Sequence, residues 1–310
     1  MHDHNTLADN LPKTNDSDQS GSNSVVRVRV FRKSDSEGVR RLFKTCLLTG
    51  EGAPPRAHLA ATIKSPSFLC ALTIFIMSVM ITAATVFNSE PASHILLSGR
   101  SSAAKIRLVM VISIALLALW YLCYSIYSAV GFYLQFVSTC LRTDLMDIQG
   151  HYNLHQVKSS SDKILEDSTD PELRPMGIKA FWVAETVSPV TKKTEIVGCI
   201  SLGDPPPPPF TSEPGVRVAE LCRMVISPHH RRQGIAGALM QACEAHAMAN
   251  EHKLSAIVLR TTFYQPHARK LYAKLGYRIV LETNVRFGNA DVPVFLYRKD
   301  LMGHKNKQHF

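Results

Sequence analysis

The sequence has no paired cysteine spacing. Its seven cysteines are scattered, and Cys70 and Cys123 fall within apolar stretches. An odd and unpaired set of this kind argues against a disulfide framework and indicates a reduced protein that faces the cytosol. The sequence also lacks a metal-ligand spacing and a Ser-His-Asp arrangement. We therefore expect neither a metal centre nor a nucleophilic triad.

Charged residues are missing from two long stretches, 22 residues over 67–88 and 34 residues over 108–141. Each is longer than the roughly 20 residues that cross the apolar core of a bilayer. The alternative is a pair of buried helices in a soluble core, but such helices usually keep a polar face. The first stretch also begins too far from the N-terminus for a cleaved signal peptide. We predict a two-helix transmembrane hairpin, inserted in the chain over 67–140.

The surroundings of the two stretches indicate how this hairpin would sit in a membrane. Basic residues lie on both sides of the first stretch, with a small excess on its N-terminal side, so the positive-inside rule favours cytosolic flanks. We expect an integral membrane protein whose partner is a lipid bilayer and whose flanking domain lies in the cytosol. Aromatic residues gather late in the second stretch, as they do at membrane interfaces: Trp120, Tyr121, Tyr124, Tyr127 and Tyr133.

Outside the hairpin, the apolar pattern predicts an α/β domain built on a mixed sheet. Residues 25–55 supply its first strand and helix, and residues 141–300 supply the main part. A helix is expected over 144–152, and a polar, flexible insert over 156–177. Strands are predicted at 25–32, 179–186, 195–202, 221–226, 254–261, 277–283 and 292–299, and further helices at 34–48, 236–250 and 265–277.

The ends of the chain and one loop have no periodic apolar pattern. Residues 1–24 are expected to be a disordered tail, and 301–310 a basic tail. Five consecutive prolines at 205–209 form a stiff connector, although a proline run can also be a recognition ligand. The net charge of +10 suits a polyanionic cofactor and an anionic membrane surface, and a solvated basic face would explain it equally well. We expect no nucleic acid among the partners.

A basic turn follows the apolar run that ends at Pro228. The N-terminus of a helix binds anions, because the N–H groups of its first turn lack partners and the helix dipole is positive there. Gly234 and Ala236 carry almost no side chain, so a pyrophosphate can approach the backbone. The alternative is a solvated, arginine-rich helix start. The residues of the turn are Arg231, Arg232, Gln233, Gly234, Ile235 and Ala236.

A second helical segment, 265–277, follows the strand predicted at 254–261. Together, this segment and the turn at 231–236 resemble the acetyl-CoA motifs of the GNAT acetyltransferase superfamily. The resemblance implies a GNAT-like fold in which the turn holds the pyrophosphate of acetyl-CoA. It also implies that the strand at 221–226 pairs with the pantetheine arm like an added strand. An N–H group at Met224 or Val225 then polarises the thioester oxygen.

Three further residues have roles that follow from this resemblance. Tyr272 is expected to protonate the departing sulfur, or else to pack as a core tyrosine. Glu220 is the candidate base that takes a proton from the amine, or else a surface carboxylate near the start of a strand. Gln265 stands where many members carry asparagine, and it is a candidate contact to the cofactor arm. Tyr272 and Glu220 are thus the expected catalytic residues.

The resemblance narrows to the camello-like (N-acetyltransferase 8) family. It rests on Thr-Asp-Leu-Met-Asp-Ile at 143–148, Phe-Trp-Val-Ala-Glu at 181–185 and the turn at 231–236. Members of that family acetylate cysteine S-conjugates or protein lysines at endoplasmic reticulum membranes. The resemblance therefore implies a membrane-anchored N-acetyltransferase, which transfers acetyl from acetyl-CoA to a primary amine directly, within a ternary complex.

Two other functions fit parts of the sequence. An inactive membrane scaffold would keep the fold and bind acetyl-CoA without turnover. A two-span membrane adaptor would recruit partners through the prolines at 205–209 and would not bind acetyl-CoA. Because both the turn at 231–236 and Tyr272 are present, the sequence favours the enzyme over the scaffold.

Overall fold

The computed structural model describes residues 26–50, 52–87, 102–156, 171–187, 194–207, 217–249 and 254–301. The tail predicted at 1–24 lies outside these ranges, as does nearly all of the tail predicted at 301–310. Most of the insert predicted at 156–177 and the last prolines of 205–209 lie outside them as well.

Within these ranges the chain forms nine strands and seven α-helices. The first helix continues into a π-helical turn at Thr45–Thr49. The strands are β1 Val26–Val30, β2 Leu154–Gln156, β3 Leu173–Pro175, β4 Ala180–Val187, β5 Thr194–Gly203, β6 Val218–Ile226, β7 Ala256–Thr262, β8 Arg278–Phe287 and β9 Ala290–Asp300. The helices are α1 Ser36–Lys44, α2 Pro54–Ile63, α3 Pro66–Phe87, α4 Ser102–Arg142, α5 Ile148–His151, α6 Ile235–Met248 and α7 Pro266–Lys274.

Seven of the described strands form one mixed sheet in the order β1-β4-β5-β6-β7-β9-β8. Only β6 and β7 are parallel neighbours in it, and all other neighbours are antiparallel. Parallel neighbours need a crossover connection, which α6 provides here. The mixed α/β fold is therefore confirmed, and every predicted strand corresponds to an observed one.

Apolar side chains cover both faces of this sheet. Successive residues of a strand point to opposite faces, so Trp182 and Val183 of β4 belong to different clusters. The cluster around Trp182 includes Leu239 of α6 and Tyr272 of α7. The cluster around Val183 includes Phe43 of α1 and Cys140 near the end of α4. The sheet thus lies between α6 and α7 on one face and α1 and the end of α4 on the other.

The helices α3 and α4 pack on each other. Phe68 and Ala71, near the start of α3, share a buried cluster with Leu122 of α4. Both helices are long and apolar enough to cross a membrane, with a mean hydropathy of 2.3 in their most apolar windows. Only 11% of each window is buried, and large side chains such as Met80 and Leu117 are exposed.

The last part of α4 packs on the sheet domain. Ser125 accepts a hydrogen bond of 2.8 Å from the Asn289 amide at the β8–β9 turn. A Cβ atom placed on Gly131 would lie 2.8 Å from the Phe287 ring, so the hairpin of β8 and β9 touches the helix backbone there. Val137 belongs to the core around Val183. The charge-free run at 108–141 therefore contains two parts, one that packs on α3 and one that packs on the domain.

Three elements differ from the prediction. The prediction of a helix over 144–152 is wrong for its first residues. The helix α4 ends at Arg142, turns follow it, and only Ile148–His151 is helical. The insert expected over 156–177 contains β3, which pairs with β2. The helix α2 was not predicted; its first turn contains Pro54 and Pro55, at positions where the missing N–H costs nothing.

Candidate functional site

A cleft opens where β6 and β7 separate. The two strands pair from Val218 and Ala256 as far as Leu221 and Leu259, and the pairing then ends although β6 continues to Ile226. The edge of β6 beyond Leu221 is therefore not covered by β7. An extended chain with amide groups can pair with such an edge like an added strand.

A bulge in β6 shapes the edge of this cleft. In the pairing with β5, Ser201 faces Cys222 and Cys199 faces Val225, so β6 has one extra residue between these two pairs. Arg223 lies in this bulge with a φ of 55°, in the left-handed region that ordinary residues avoid. The bulge places Met224 and Val225, the residues predicted to polarise the thioester, directly after it.

The Arg223 side chain is held from the end of α4. It donates hydrogen bonds of 2.6 and 2.9 Å to the two oxygens of Asp144, which is buried. Asp144 also accepts a hydrogen bond of 3.0 Å from the Tyr152 hydroxyl, whose oxygen lies 3.0 Å from the Ser201 hydroxyl of β5. Burial alone would raise the pKa of Asp144, but the hydrogen bonds and charge of Arg223 lower it below its ordinary value. Asp144 belongs to the Thr-Asp-Leu-Met-Asp-Ile motif at 143–148, but the sequence predicted no role for it.

The predicted phosphate turn has the geometry of an anion site. Gly234 has a φ of 79°, and no atom lies within 4 Å of the position that a Cβ would occupy there. The helix α6 begins directly after it, and no side chain caps its first N–H groups. Ile235 is buried in the core, so only its backbone faces this turn, whereas Arg232, Gln233 and Ala236 are exposed or half-buried. The turn can thus present N–H groups to a pyrophosphate at close range.

The two arginines of the turn differ in their surroundings. A Cβ placed on Gly52 would lie 3.4 Å from Nη1 of Arg231, so this guanidinium reaches the segment before α2. The charge of Arg231 lowers the pKa of the Cys46 thiol. Burial has the larger effect, so this pKa is raised to about 11. Arg232 is exposed, with a left-handed φ of 66°. The contact of either arginine with a phosphate stays a prediction.

Tyr272 lies at the cleft in contact with β6. Its hydroxyl approaches the sulfur of Met224 at 3.8 Å. Its ring is buried and lies at 5.9 Å from Tyr297 and 6.2 Å from Tyr277. Burial raises the pKa of Tyr272, so the phenol keeps its proton at physiological pH. The structure thus brings together the predicted proton donor and a residue predicted to polarise the thioester.

Glu220 is bound to an arginine of the neighbouring strand. Its two oxygens accept hydrogen bonds of 2.7 and 3.1 Å from Arg260 of β7. Glu220 is buried, and the Arg260 side chain is about one-third exposed. The pair lies on the face of the sheet that carries α1 and α4, because Glu220 lies opposite Val258 and Arg260 is two residues further along. The role of Glu220 as a base stays a prediction.

Gln265 caps the end of β7. Its side-chain oxygen accepts hydrogen bonds from the Thr261 hydroxyl at 3.0 Å and from the Thr262 N–H at 3.3 Å. This oxygen is therefore engaged within the protein, and the contact of Gln265 with the cofactor arm stays a prediction. In the described part of the chain, no group of three or more His, Cys, Asp or Glu side chains could hold a metal ion.

Part of the chain is similar to known acetyltransferases. Residues 151–277 match the model of the Acetyltransferase (GNAT) family. N-acetyltransferase 8F1 of Rattus norvegicus is 30% identical over 154 residues, which are 49% of this chain and 52% of that protein. N-acetylaspartate synthetase of Danio rerio is 27% identical over 259 residues, which are 83% of this chain and 68% of that protein. NAA60 of Arabidopsis thaliana in complex with acetyl-CoA is 14% identical, with a TM-score of 0.34, and the match covers 39% of this chain and 76% of that one.

These matches agree with the sequence motifs. The resemblance to the camello-like (N-acetyltransferase 8) family of the GNAT superfamily is confirmed. The relatives themselves are named as N-acetyltransferases and as an N-acetylaspartate synthetase. The chain spans about half the length of the N-acetyltransferase 8 relatives that it matches.

Proposed function

We propose that the chain is a membrane-anchored N-acetyltransferase that transfers acetyl from acetyl-CoA to a primary amine, because residues 151–277 match the model of the Acetyltransferase (GNAT) family. The observation that carries this proposal is the contact of Tyr272 with Met224, at 3.8 Å, in the cleft between β6 and β7. The phosphate turn around Gly234 follows β6 directly, so one strand connects the proposed pyrophosphate site with the proposed thioester site.

Each part of acetyl-CoA has a proposed contact. The N–H groups at Gly234 to Ala236 bind the pyrophosphate, with Arg231, Arg232 and Gln233 around it. The free edge of β6 pairs with the pantetheine arm, and Gln265 lies at the far side of the cleft, after β7. An N–H group at Met224 or Val225 donates to the thioester oxygen, where negative charge develops as the amine attacks.

We propose direct transfer, without an acetylated enzyme. The amine nitrogen forms a bond to the thioester carbon, the carbon–sulfur bond breaks, and the leaving thiolate takes the proton of Tyr272. An acetylated enzyme would need a nucleophile in the cleft, and Cys222 of β6 is the candidate. Burial and the charge of Glu220 raise the pKa of its thiol to about 12. Such a thiol holds its proton at neutral pH and is a poor nucleophile.

The pair of Glu220 and Arg260 favours one class of acceptor amine. The resemblance implies a cysteine S-conjugate or a protein lysine, and the name of the Danio rerio relative indicates aspartate as the acceptor of that protein. Cysteine S-conjugates and aspartate both carry a carboxylate next to the amine. Arg260 is partly exposed and binds a carboxylate in this structure, so the same guanidinium can bind the carboxylate of an acceptor while Glu220 holds it in place. This favours a small amine with a carboxylate over a protein lysine.

We further propose that α3 and the first part of α4 anchor the enzyme in the endoplasmic reticulum membrane, with the catalytic domain in the cytosol. Their apolar side chains are exposed, and α3, with 22 residues, and the part of α4 up to Ser125, with 24, are each long enough to cross a bilayer. The later part of α4 contacts the domain through Ser125 and Gly131, so the anchor and the domain share one helix.

The test is release of free thiol from acetyl-CoA by the detergent-solubilised full chain. S-benzylcysteine, aspartate and a lysine peptide serve as acceptors, and the α-amides of the two amino acids are the matched controls. We expect thiol release with the free amino acids and at least tenfold less with their amides. Release with the lysine peptide alone would contradict the proposed acceptor class. Tight binding of acetyl-CoA without release for any amine would instead favour the inactive scaffold.

A further inference from the structure

Three aromatic side chains meet where α2, α4 and the end of β7 come together. The ring of His58, on α2, stacks on Tyr264 with a centroid distance of 4.3 Å and an interplanar angle of 15°. The ring of Tyr133, on α4, meets His58 edge to face at 5.9 Å. His58 and Tyr133 are each only 3% exposed. We refer to His58, Tyr133 and Tyr264 as the aromatic pocket.

Two polar atoms of this pocket are buried without a partner. Nδ1 of His58 and the hydroxyl of Tyr133 make no hydrogen bond within the part of the chain that the structure describes. The Thr262 hydroxyl of β7 interacts with the Tyr133 phenol but lies outside normal hydrogen-bond geometry, and the Ala129 carbonyl interacts with the His58 imidazole. Burying a polar group without a well-formed hydrogen bond is costly, so two such atoms on neighbouring side chains point to a ligand that binds both.

The pocket lies beside the cleft. Thr262 is two residues beyond Arg260, so both side chains point to the face of the sheet that carries Glu220. The segment before α2 touches the end of β6, where the Cys46 thiol donates to the Ile226 carbonyl at 3.4 Å. His58 then touches Tyr264, after β7. The chain from Cys46 to His58 therefore crosses from β6 to β7 on the side where the two strands separate.

We propose that the aromatic pocket receives the amino group of the acceptor, and that Nδ1 of His58 takes its proton. This inference rests on the proposed acetyltransferase function. A primary amine has N–H groups for His58 Nδ1 and for the Tyr133 oxygen, and its lone pair stays available for the thioester carbon. The neighbouring Arg260 can bind a carboxylate on the same acceptor molecule.

The protonation state of the pocket suits this role. Because Nδ1 needs a lone pair in order to take a proton, we assign the hydrogen of the neutral ring to Nε2. Burial lowers the pKa of His58, and the Ala129 carbonyl offsets this only in part. The titratable groups packed against the ring are the phenols of Tyr133 and Tyr264, and no charged group contributes to the shift. His58 is therefore neutral at pH 7, with a free lone pair on Nδ1.

The proton balance of the step is complete. As the carbon–nitrogen bond forms, the nitrogen becomes positively charged and its proton moves to His58 Nδ1. The carbon–sulfur bond breaks, and the thiolate takes a proton from Tyr272. The imidazolium then loses its proton to water, and Tyr272 regains one. This assignment gives His58 the proton transfer that the sequence predicted for Glu220, while Glu220 holds Arg260.

The test uses the full chain in detergent, with acetyl-CoA and S-benzylcysteine or aspartate as probes. For His58→Gln we expect kcat to fall by about 100-fold, the range of general-base catalysis. For Tyr133→Phe we expect the acceptor KM to rise about 3- to 10-fold, the value of one hydrogen bond. The Kd for acetyl-CoA is expected to be unchanged in both. Tyr127→Phe, at an exposed tyrosine six residues earlier on α4, is the matched control.

The pH profile separates a catalytic from a structural role. In the wild type, kcat at saturating acceptor should fall only at a pH below the ordinary imidazole pKa of about 6.5, because burial lowers the pKa of His58 and protonated His58 cannot take a proton. His58→Gln should lose this acidic limb, whereas Glu220→Gln should keep it. A Tyr133→Phe variant of equal or greater stability with an unchanged acceptor KM would overturn the inference, as would an acidic limb that survives His58→Gln. If the wild type releases no thiol with any amine, the proposed function fails together with the inference; if it does release thiol, these two variants alone decide the inference.

Discussion

Asp144 and Arg223 join the end of the long helix α4 to the bulge of β6, through hydrogen bonds of 2.6 and 2.9 Å between residues 79 positions apart. The guanidinium also lies over the rings of Phe136 and Phe43, at 5.7 and 6.0 Å. Since Arg223 has a left-handed φ of 55°, its side chain must be held for the bulge to persist. The position of Met224 and Val225 in the cleft thus depends on a residue that directly follows α4, the helix whose first part belongs to the proposed membrane anchor.

We predict that Asp144→Asn strongly destabilises the domain. The change leaves the shape of the side chain nearly intact but removes the charge that Arg223 needs, and an uncompensated buried charge costs about 3 kcal/mol or more. The free energy of unfolding in urea, measured in detergent, tests this. Glu37→Gln is the control, because it removes the exposed ion pair with Arg41 and should cost less than about 1 kcal/mol. Equal losses for the two variants would contradict the prediction.

The contribution of this pair should depend on pH with a definite sign. The pKa of Asp144 is lower in the folded protein than in the unfolded chain, where it is about 3.9. Its stabilising effect is therefore complete above the unfolded value and is lost as the pH falls through the lower, folded value. The stability difference between wild type and Asp144→Asn should be constant from about pH 5 to 7 and should shrink below about pH 4. A difference that grows on acidification would refute this account.

The local pattern of the sequence was sufficient for most of the fold. The helix predicted at 236–250 is observed at Ile235–Met248, and the strand predicted at 292–299 is observed at Ala290–Asp300. In these elements the apolar period and the turn residues agree with the burial that the sheet imposes. The same local signals predicted a phosphate site at the turn 231–236 and a catalytic role for Tyr272, and both stay predictions.

The features that the sequence did not reveal depend on contacts between distant residues. The helix predicted over 144–152 does not form at Asp144, because this carboxylate binds Arg223 on another element. Near Ser125, α4 stops packing on α3 and begins to pack on the domain. The charge-free run at 108–141 does not indicate this change, because an apolar side chain packs equally well on lipid, on α3 or on the sheet. The partners of Glu220 and His58 lie on other elements as well, and no spacing in the sequence indicates them.

At the phosphate turn, we predict that Gly234→Asp abolishes binding of acetyl-CoA. The left-handed φ of 79° disfavours any side chain, and the new carboxylate would occupy the open space beside the turn, where it would repel a phosphate. Calorimetry should show a Kd raised by at least about 100-fold. Gly177→Asp is the matched control, because the space around its Cβ position is equally open but lies away from the turn. Unchanged affinity in Gly234→Asp would reject this site.

The proposed anchor makes a prediction about topology. If α3 and the first part of α4 form a hairpin in the bilayer, the protein should stay with membranes during a carbonate wash. Tags at both termini should be accessible to protease from the cytosolic side. Accessibility of one terminus alone would exclude the hairpin, and protection of both would move the catalytic domain to the lumen. A chain that lacks 66–125 but still pellets with membranes would show that another surface binds them.

The final prediction concerns Tyr272 as the donor of the proton to the departing sulfur. Tyr272→Phe keeps the ring that packs against Tyr277 and Tyr297 and removes only the hydroxyl near Met224. We expect kcat to fall by about 10- to 100-fold, or about 1.4 to 2.8 kcal/mol of transition-state stabilisation, with an unchanged Kd for acetyl-CoA. Because burial raises the pKa of Tyr272, the phenol of the wild type stays protonated, and loss of the hydroxyl should leave the acidic limb of the pH profile in place. Tyr297→Phe, which alters a neighbouring buried ring, is the control. A kcat within about twofold of the wild type would remove Tyr272 from the mechanism, and the leaving thiolate would then take its proton from water.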